Sequence, residues 1–161
     1  MSRQVLTAQQ SVALDAWVRL LRGHGAARRL LSMELQTEHG LTVNDYEALL
    51  ALSHADDKML RRVDLAERLQ LTPSGVTRLL DGLEGCGLVE KATCASDARV
   101  TYAVLTDTGH ERLKQASRSH LASVQALFEE RFTEAELETF AELLGRLPGA
   151  GAADPSECEA G

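Results

Sequence analysis

Along the first quarter of the chain, apolar or small side chains recur at Ala13, Trp17, Leu20, Ala27, Leu31 and Leu35, with His24 in the same series. Steps of three or four residues keep these positions on one face of a helix, predicted over residues 7–39. Gly40 follows at the usual helix-ending position. Gly23 and Gly25 interrupt the pattern, each costing about 1 kcal/mol relative to Ala in a helix interior. They predict a bend or the close approach of another backbone. Thr42, with Asp45 three residues on, opens a second helix whose inner face carries Tyr46, Leu49, Leu50 and Ser53. Residues 54–58 are a polar connection. A short helix over 64–69 turns Leu65, Ala66 and Leu69 inward, and Gln70-Leu71 makes a tight turn. Thr72 is then an N-cap and Pro73 falls at the first helical position, where its missing N–H costs nothing. That helix runs through Val76, Leu79, Leu80 and Leu83 to about Cys86, and Gly87 stops it.

The period then changes. Residues 88–93 and 100–105 take on the β-branched content and two-residue alternation of strands, flanking the polar loop 94–99. Thr106 caps another long helix with Leu113, Ala116, His120, Val124 and Leu127 on one stripe. Thr133 and Glu136 form a capping box for a last helix ending near Leu147. Residues 148–161, rich in Gly, Ala and acid, predict a disordered tail. The expected class is mainly α, an α+β winged helix with six helices and a two- to three-stranded β-wing. The expected organisation is N-terminal helices over 1–57, a winged helix-turn-helix lobe over 58–105, C-terminal helices over 106–147, and the tail. Long helices with wide apolar faces need partners along their length, so the outer helices predict a homodimer.

Composition narrows the function classes. No apolar run approaches the roughly 18–20 residues of a membrane span. Met1-Ser2-Arg3-Gln4-Val5 lacks the apolar core of a signal peptide. The expected location is therefore the cytoplasm, in association with the nucleoid, with no membrane partner. The cysteines Cys86, Cys94 and Cys158 are odd in number and show no CxxC pairing, against a disulfide framework or zinc knuckle. No nucleophile–base pair, phosphate-binding glycine loop or HExxH spacing points to an enzyme, and neither a metal nor a cofactor is expected. A net charge of -7 looks wrong for a nucleic-acid binder, yet it is unevenly spread. Residues 58–114 carry nine Lys/Arg against eight Asp/Glu, whereas 115–161 carry three against nine.

Short helix, tight turn, second helix and hairpin make a winged helix-turn-helix, and this arrangement suits double-stranded DNA. A helix fits the major groove, and short polar side chains near its N-terminus reach base edges. Thr72, Pro73, Ser74, Gly75, Thr77 and Arg78 occupy that end, and the helix N-terminal N–H groups suit a phosphate oxygen. Arg61 and Arg62 add positive charge before the motif. Leu71-Thr72-Pro73-Ser74-Gly75-Val76-Thr77-Arg78-Leu79-Leu80-Asp81, Gly87-Leu88-Val89-Glu90-Lys91, Ser96-Asp97-Ala98-Arg99 and Leu105-Thr106-Asp107-Thr108-Gly109 carry a further signal. Together, in this spacing, they resemble the MarR family of bacterial regulators, over roughly residues 8–147. The resemblance implies that Ser74, Thr77 and Arg78 lie in the major groove. It places Arg99 at the wing tip in the minor groove, with Asp97 holding its guanidinium. Lys91 stands where the family more often has Arg, trading a bidentate fork for a point charge, and Gly82 stands where many relatives have a basic residue.

The resemblance further implies repression of a palindromic operator and release by a small, often aromatic, effector bound between the dimer helices and the DNA lobe. Trp17, His24, Arg28, Tyr46 and His54 are the polar or aromatic candidates on otherwise apolar faces. Alternatives remain open within the same fold. Cys86 and Cys94 bracket the turn from recognition helix to wing, as a redox sensor would require, although the family's peroxide sensors carry their cysteine in the first helix. Glu34, Glu38, His39, His110 and Glu111 could meet as metal ligands only through tertiary contact. A winged-helix protein-interaction module would suit the acidity.

Overall fold

The computed structural model describes residues 11–151. The expected helical start at residues 7–10 and most of the expected tail, residues 152–161, lie outside the described residues. Among the described residues the fold consists of six α-helices and a three-stranded antiparallel sheet: α1 (Val12–His39), α2 (Val43–Ser53), β1 (Met59–Arg61), α3 (Arg62–Arg68), α4 (Pro73–Gly85), β2 (Val89–Thr93), β3 (Thr101–Leu105), α5 (Asp107–Glu129) and α6 (Glu134–Leu144).

α1 passes through Gly23 and Gly25 as one continuous helix. A Cβ at Gly23 would meet nothing within 4 Å, and one at Gly25 only the Arg29 side-chain tip at 3.5 Å. Among the described residues no other backbone approaches either glycine, so the close approach that the sequence suggests is not made there. Gly40 ends α1 in the left-handed region at φ 67°. The Leu41 N–H reaches back to the Leu35 carbonyl at 3.4 Å, so both leucines are drawn into the core. Thr42 and Asp45 then form a full capping box. α2 buries Val43, Ala48 and Leu52 besides Tyr46, Leu49 and Leu50. Asn44, Asp45 and Glu47 keep one side of its first half polar, while the second half of α2 is enclosed by the core.

The connection after α2 contains a single 3-10 turn, Asp56–Lys58, and leads straight into β1. This short strand, which the sequence pattern leaves inside a loop, pairs Leu60 with Ala103 and Arg61 with Tyr102. The sheet order is β1-β3-β2, with Val89 opposite Leu105 and Thr93 opposite Thr101 across the wing hairpin. α3 begins two residues before the expected Asp64, and α6 ends three before Leu147.

Leu35, Leu49, Leu52, Leu65, Val76, Leu80, Leu88 and Leu113 are almost wholly buried where α2, the lobe and the first half of α5 meet. Beyond that junction the burial stops. Leu35 is the single buried residue of α1 and α6 buries none. Val12, Leu14, Trp17, Leu21, Leu30, Met33, Phe132, Phe140 and Leu143 stay exposed. α1, α6 and the turn before α6 thus present a large apolar surface beside a well-packed lobe.

Candidate nucleic-acid interface

The N-terminal end of α4 is built by its cap. Thr72 has extended backbone and its hydroxyl oxygen accepts from the Gly75 N–H at 3.0 Å. Pro73 occupies the first turn. A side chain at Gly75 would put its Cβ 3.1 Å from that Thr72 oxygen, so glycine keeps the cap closed. Val76, Leu80 and Leu83 anchor the inner face. Pro73, Ser74 and Arg78 are left exposed on the outer face, with Thr77 partly so. Ser74 Oγ lies 3.2 Å from Thr72 Oγ1, and the Thr77 hydroxyl donates to the Pro73 carbonyl at 2.8 Å. Thr77 therefore offers a methyl group and its remaining oxygen lone pairs. Arg78, the single cation of α4, has no ion pair among the described residues.

The wing is a second arm. Its tip is closed by the Cys94 N–H donating to Val100 O and the Val100 N–H donating to Asp97 O, each at 3.0 Å. Asp97 Oδ1 accepts from the Arg99 backbone N–H at 3.0 Å and from Arg99 Nε at 3.3 Å. The guanidinium is directed by this contact and remains 93% exposed. The Asp97–Arg99 pairing expected from the sequence is thus present.

The remaining basic candidates differ from one another. Arg61 grips Asp64 through both Nε and Nη2, at 2.7 and 2.8 Å, which raises its already high pKa. Arg62 has no ion pair among the described residues. The Lys91 ammonium is held by Asp81 and Glu84 of α4. Hydrogen bonds to these two carboxylates raise its pKa.

The effector candidates do not converge on one cavity. Trp17 and His24 are exposed on the first half of α1, and His54 is exposed at the end of α2. Arg28 spans from α1 to α2, donating to Glu47 Oε1 at 2.8 Å and Asn44 Oδ1 at 2.6 Å. Tyr46 is buried, with its hydroxyl 3.2 Å from Ser117 Oγ and its ring 4.5 Å from that of His120. His120 thereby joins the junction, and burial pushes its pKa down against the opposing pull of Glu47 and Glu34. An open groove of about 400 Å³ runs instead between α1 and α5, lined by Leu30, Leu31, Glu34, Ser123, Ala126 and Leu127 among others. Glu47, Asn44, Ser117 and His120 were missed as partners because each contact joins positions far apart in sequence.

Among the described residues no three His, Cys, Asp or Glu side chains are placed for a metal ion. Of the proposed ligands, His39 Nε2 lies 2.6 Å from Ser119 Oγ. Cys86 and Cys94 are free thiols. The Ser96 hydroxyl and the Ser96 and Asp97 backbone favour the Cys94 thiolate and lower its pKa.

Comparison with known proteins agrees with this geometry. A family model described as MarR family matches residues 39–100. The chain is 32% identical over 108 residues to the HTH-type transcriptional repressor YetL of Bacillus subtilis, covering 67% of this chain and 64% of YetL, just under two thirds of that relative. Its structure resembles that of AbsC, a MarR family transcriptional regulator from Streptomyces coelicolor, with TM-score 0.72 and 30% identity over 89% of this chain and 93% of AbsC. It also resembles Sco3205, a MarR family regulator from the same organism solved in complex with DNA, with TM-score 0.76 and 26% identity over 99% and 96% of the two chains.

Proposed function

The chain belongs to the MarR family of transcriptional regulators, and from that premise we propose that it represses transcription by binding an inverted-repeat operator as a homodimer. The observation that carries this reading is the pairing of two differently presented arginines. Arg78 is exposed on the outer face of α4 with no ion pair among the described residues, and Arg99 is held out from the wing by Asp97. An exposed arginine on a helix of major-groove size is suited to guanine O6 and N7. An arginine on a narrow loop is suited to the strongly negative minor groove. Thr72, Pro73, Ser74, Gly75 and Thr77 complete the major-groove end, and Arg61 and Arg62 flank it. The DNA complex of Sco3205 and the repressor name of YetL support the same direction. The protein would act in the cytoplasm, at the nucleoid.

Release by a small effector is part of the proposal. Arg28 and Tyr46 tie α1, α2 and α5 together where the outer helices meet the lobe. A ligand that favours one arrangement of this junction shifts the spacing of the two lobes, and a differential affinity of about 1–3 kcal/mol weakens operator binding several-fold or more. Trp17, His24 and His54 are the further contacts proposed. Selection of duplexes from a random library, followed by footprinting, tests the central claim. The expected winner is an inverted repeat with half-sites centred about 10 bp apart. A preferred single half-site, or equal binding to all duplexes at physiological salt, would sink it.

A further inference from the structure

Lys91 stands on the first wing strand, yet its ammonium turns back to the recognition helix. It contacts Asp81 Oδ1 and lies 3.1 Å from Glu84 Oε2. These carboxylates are three residues apart on α4 and share one side of it. The Lys91 side chain is only 31% exposed, against 93% for Arg99. Leu83 of α4 and Val89 of β2 are both buried in the same core, so the strand and helix that the ion pair joins also share apolar packing. Asp81 follows Arg78 by three residues on the outer side of the helix. Two uncompensated carboxylates at that place would repel DNA phosphates approaching Arg78. A lysine committed to both must release both to reach a phosphate itself.

We propose that Lys91 is a positioning residue for DNA binding and not a phosphate contact. It clamps the wing to the recognition helix and cancels the charge of Asp81 and Glu84. The inference rests on the DNA-binding reading above, and its test separates the two.

Lys91→Met is measured in the natural background and in the Asp81→Asn/Glu84→Gln background, on the best duplex that the unaltered chain selects, over a range of salt. The expected loss is about three- to ten-fold in the first background. In the second it is less than about two-fold, because nothing remains for the lysine to neutralise. Lys91→Arg should retain binding in the natural background. An equal loss in both backgrounds, with the salt slope lowered by about one in each, would identify a direct phosphate contact and overturn the proposal. A second measurement needs no DNA. Amide hydrogen exchange over residues 89–93 should accelerate in Lys91→Met and return to the natural rate in Lys91→Arg. Unchanged exchange in Lys91→Met overturns the clamp. If the unaltered chain selects no duplex, the DNA-binding reading fails, and the exchange result by itself upholds or overturns the clamp.

Discussion

At the scale of single residues, the two exposed arginines are expected to fail in different ways. Arg99 is presented on a loop, where the readout is electrostatic and shape-based, so Arg99→Ala should weaken binding to operator and random duplex together. Its salt slope should fall by about one. Arg78→Ala should cost about 1–3 kcal/mol on the selected site and much less on random sequence, because base-edge contacts carry the specificity. Quantitative gel shifts on both duplexes at two salt concentrations check the pair, and a normal affinity for Arg99→Ala would remove the wing from the interface. His120 supplies a prediction about pH. Burial against Tyr46 holds its pKa below the ordinary value of about 6.5. The folded chain therefore binds fewer protons at this residue than the unfolded chain as the pH falls from 6.5 toward the depressed value. Stability contributed by the neutral ring is full above about pH 6.5 and is lost across that acidic window. Urea midpoints at pH 7.5 and pH 5 should show the decline, and His120→Gln should flatten it. An unchanged slope in that variant would assign the acid sensitivity to other groups.

At the scale of elements, what the chain reveals depends on how local each device is. The caps at Thr42, Thr72, Thr106 and Thr133 are all present, because a hydroxyl and the N–H it satisfies lie within three residues. Thr72→Ala should therefore destabilise the lobe by about 1 kcal/mol and fray the end of α4 that bears Ser74. The wing and recognition helix were legible for the same reason, through turn residues and a change of period. β1 was not, since three residues carry no period and the strand exists only by pairing with β3, more than 40 positions away. The family-like Thr106-Asp107-Thr108-Gly109 segment was visible as a motif, but the demand on its glycine was not. A Cβ at Gly109 would sit 2.0 Å from the Leu88 carbonyl oxygen and 2.8 Å from Leu105 Cδ1. The first turn of α5 thus lies against the start of the wing, with the Thr106 hydroxyl donating to Gly87 O at 2.7 Å. Gly109→Ala is expected to cost more than about 3 kcal/mol, since backbone must move to admit it. Thermal melts of the two variants rank them, and a Gly109→Ala melt within a few degrees of the natural one would contradict the close approach.

At the scale of the whole molecule, the division between a packed lobe and uncovered outer helices determines what the chain needs. Apart from Val63 on α3, the large apolar side chains at least half exposed, from Val12 at 86% to Leu143 at 50%, lie on α1 and α6, joined by the Phe128–Phe132–Phe140 cluster at the turn between α5 and α6. Gly23 and Gly25 fit the same arrangement. They meet no other backbone among the described residues, so their small size is available to a helix from a second copy. The junction of α1, α2 and α5 was less legible from sequence at this scale, because contacts such as Arg28–Glu47 and Tyr46–Ser117 join positions far apart in the chain. Trp17 and Met33, 55% and 66% exposed on α1, are suitable reporters. Covering such side chains contributes about 1.5–3 kcal/mol apiece when burial is complete, so loss of two should loosen association measurably. Sedimentation equilibrium is expected to give a dimer at micromolar concentration. Trp17→Ala/Met33→Ala should raise the dissociation constant by about a hundred-fold or more while leaving the folded lobe intact by circular dichroism. Operator binding should weaken with it and become concentration-dependent, because two lobes no longer arrive together. A natural chain that sediments as a stable monomer, yet still selects an inverted repeat, would separate DNA recognition from these apolar helices and leave their exposure to some other partner.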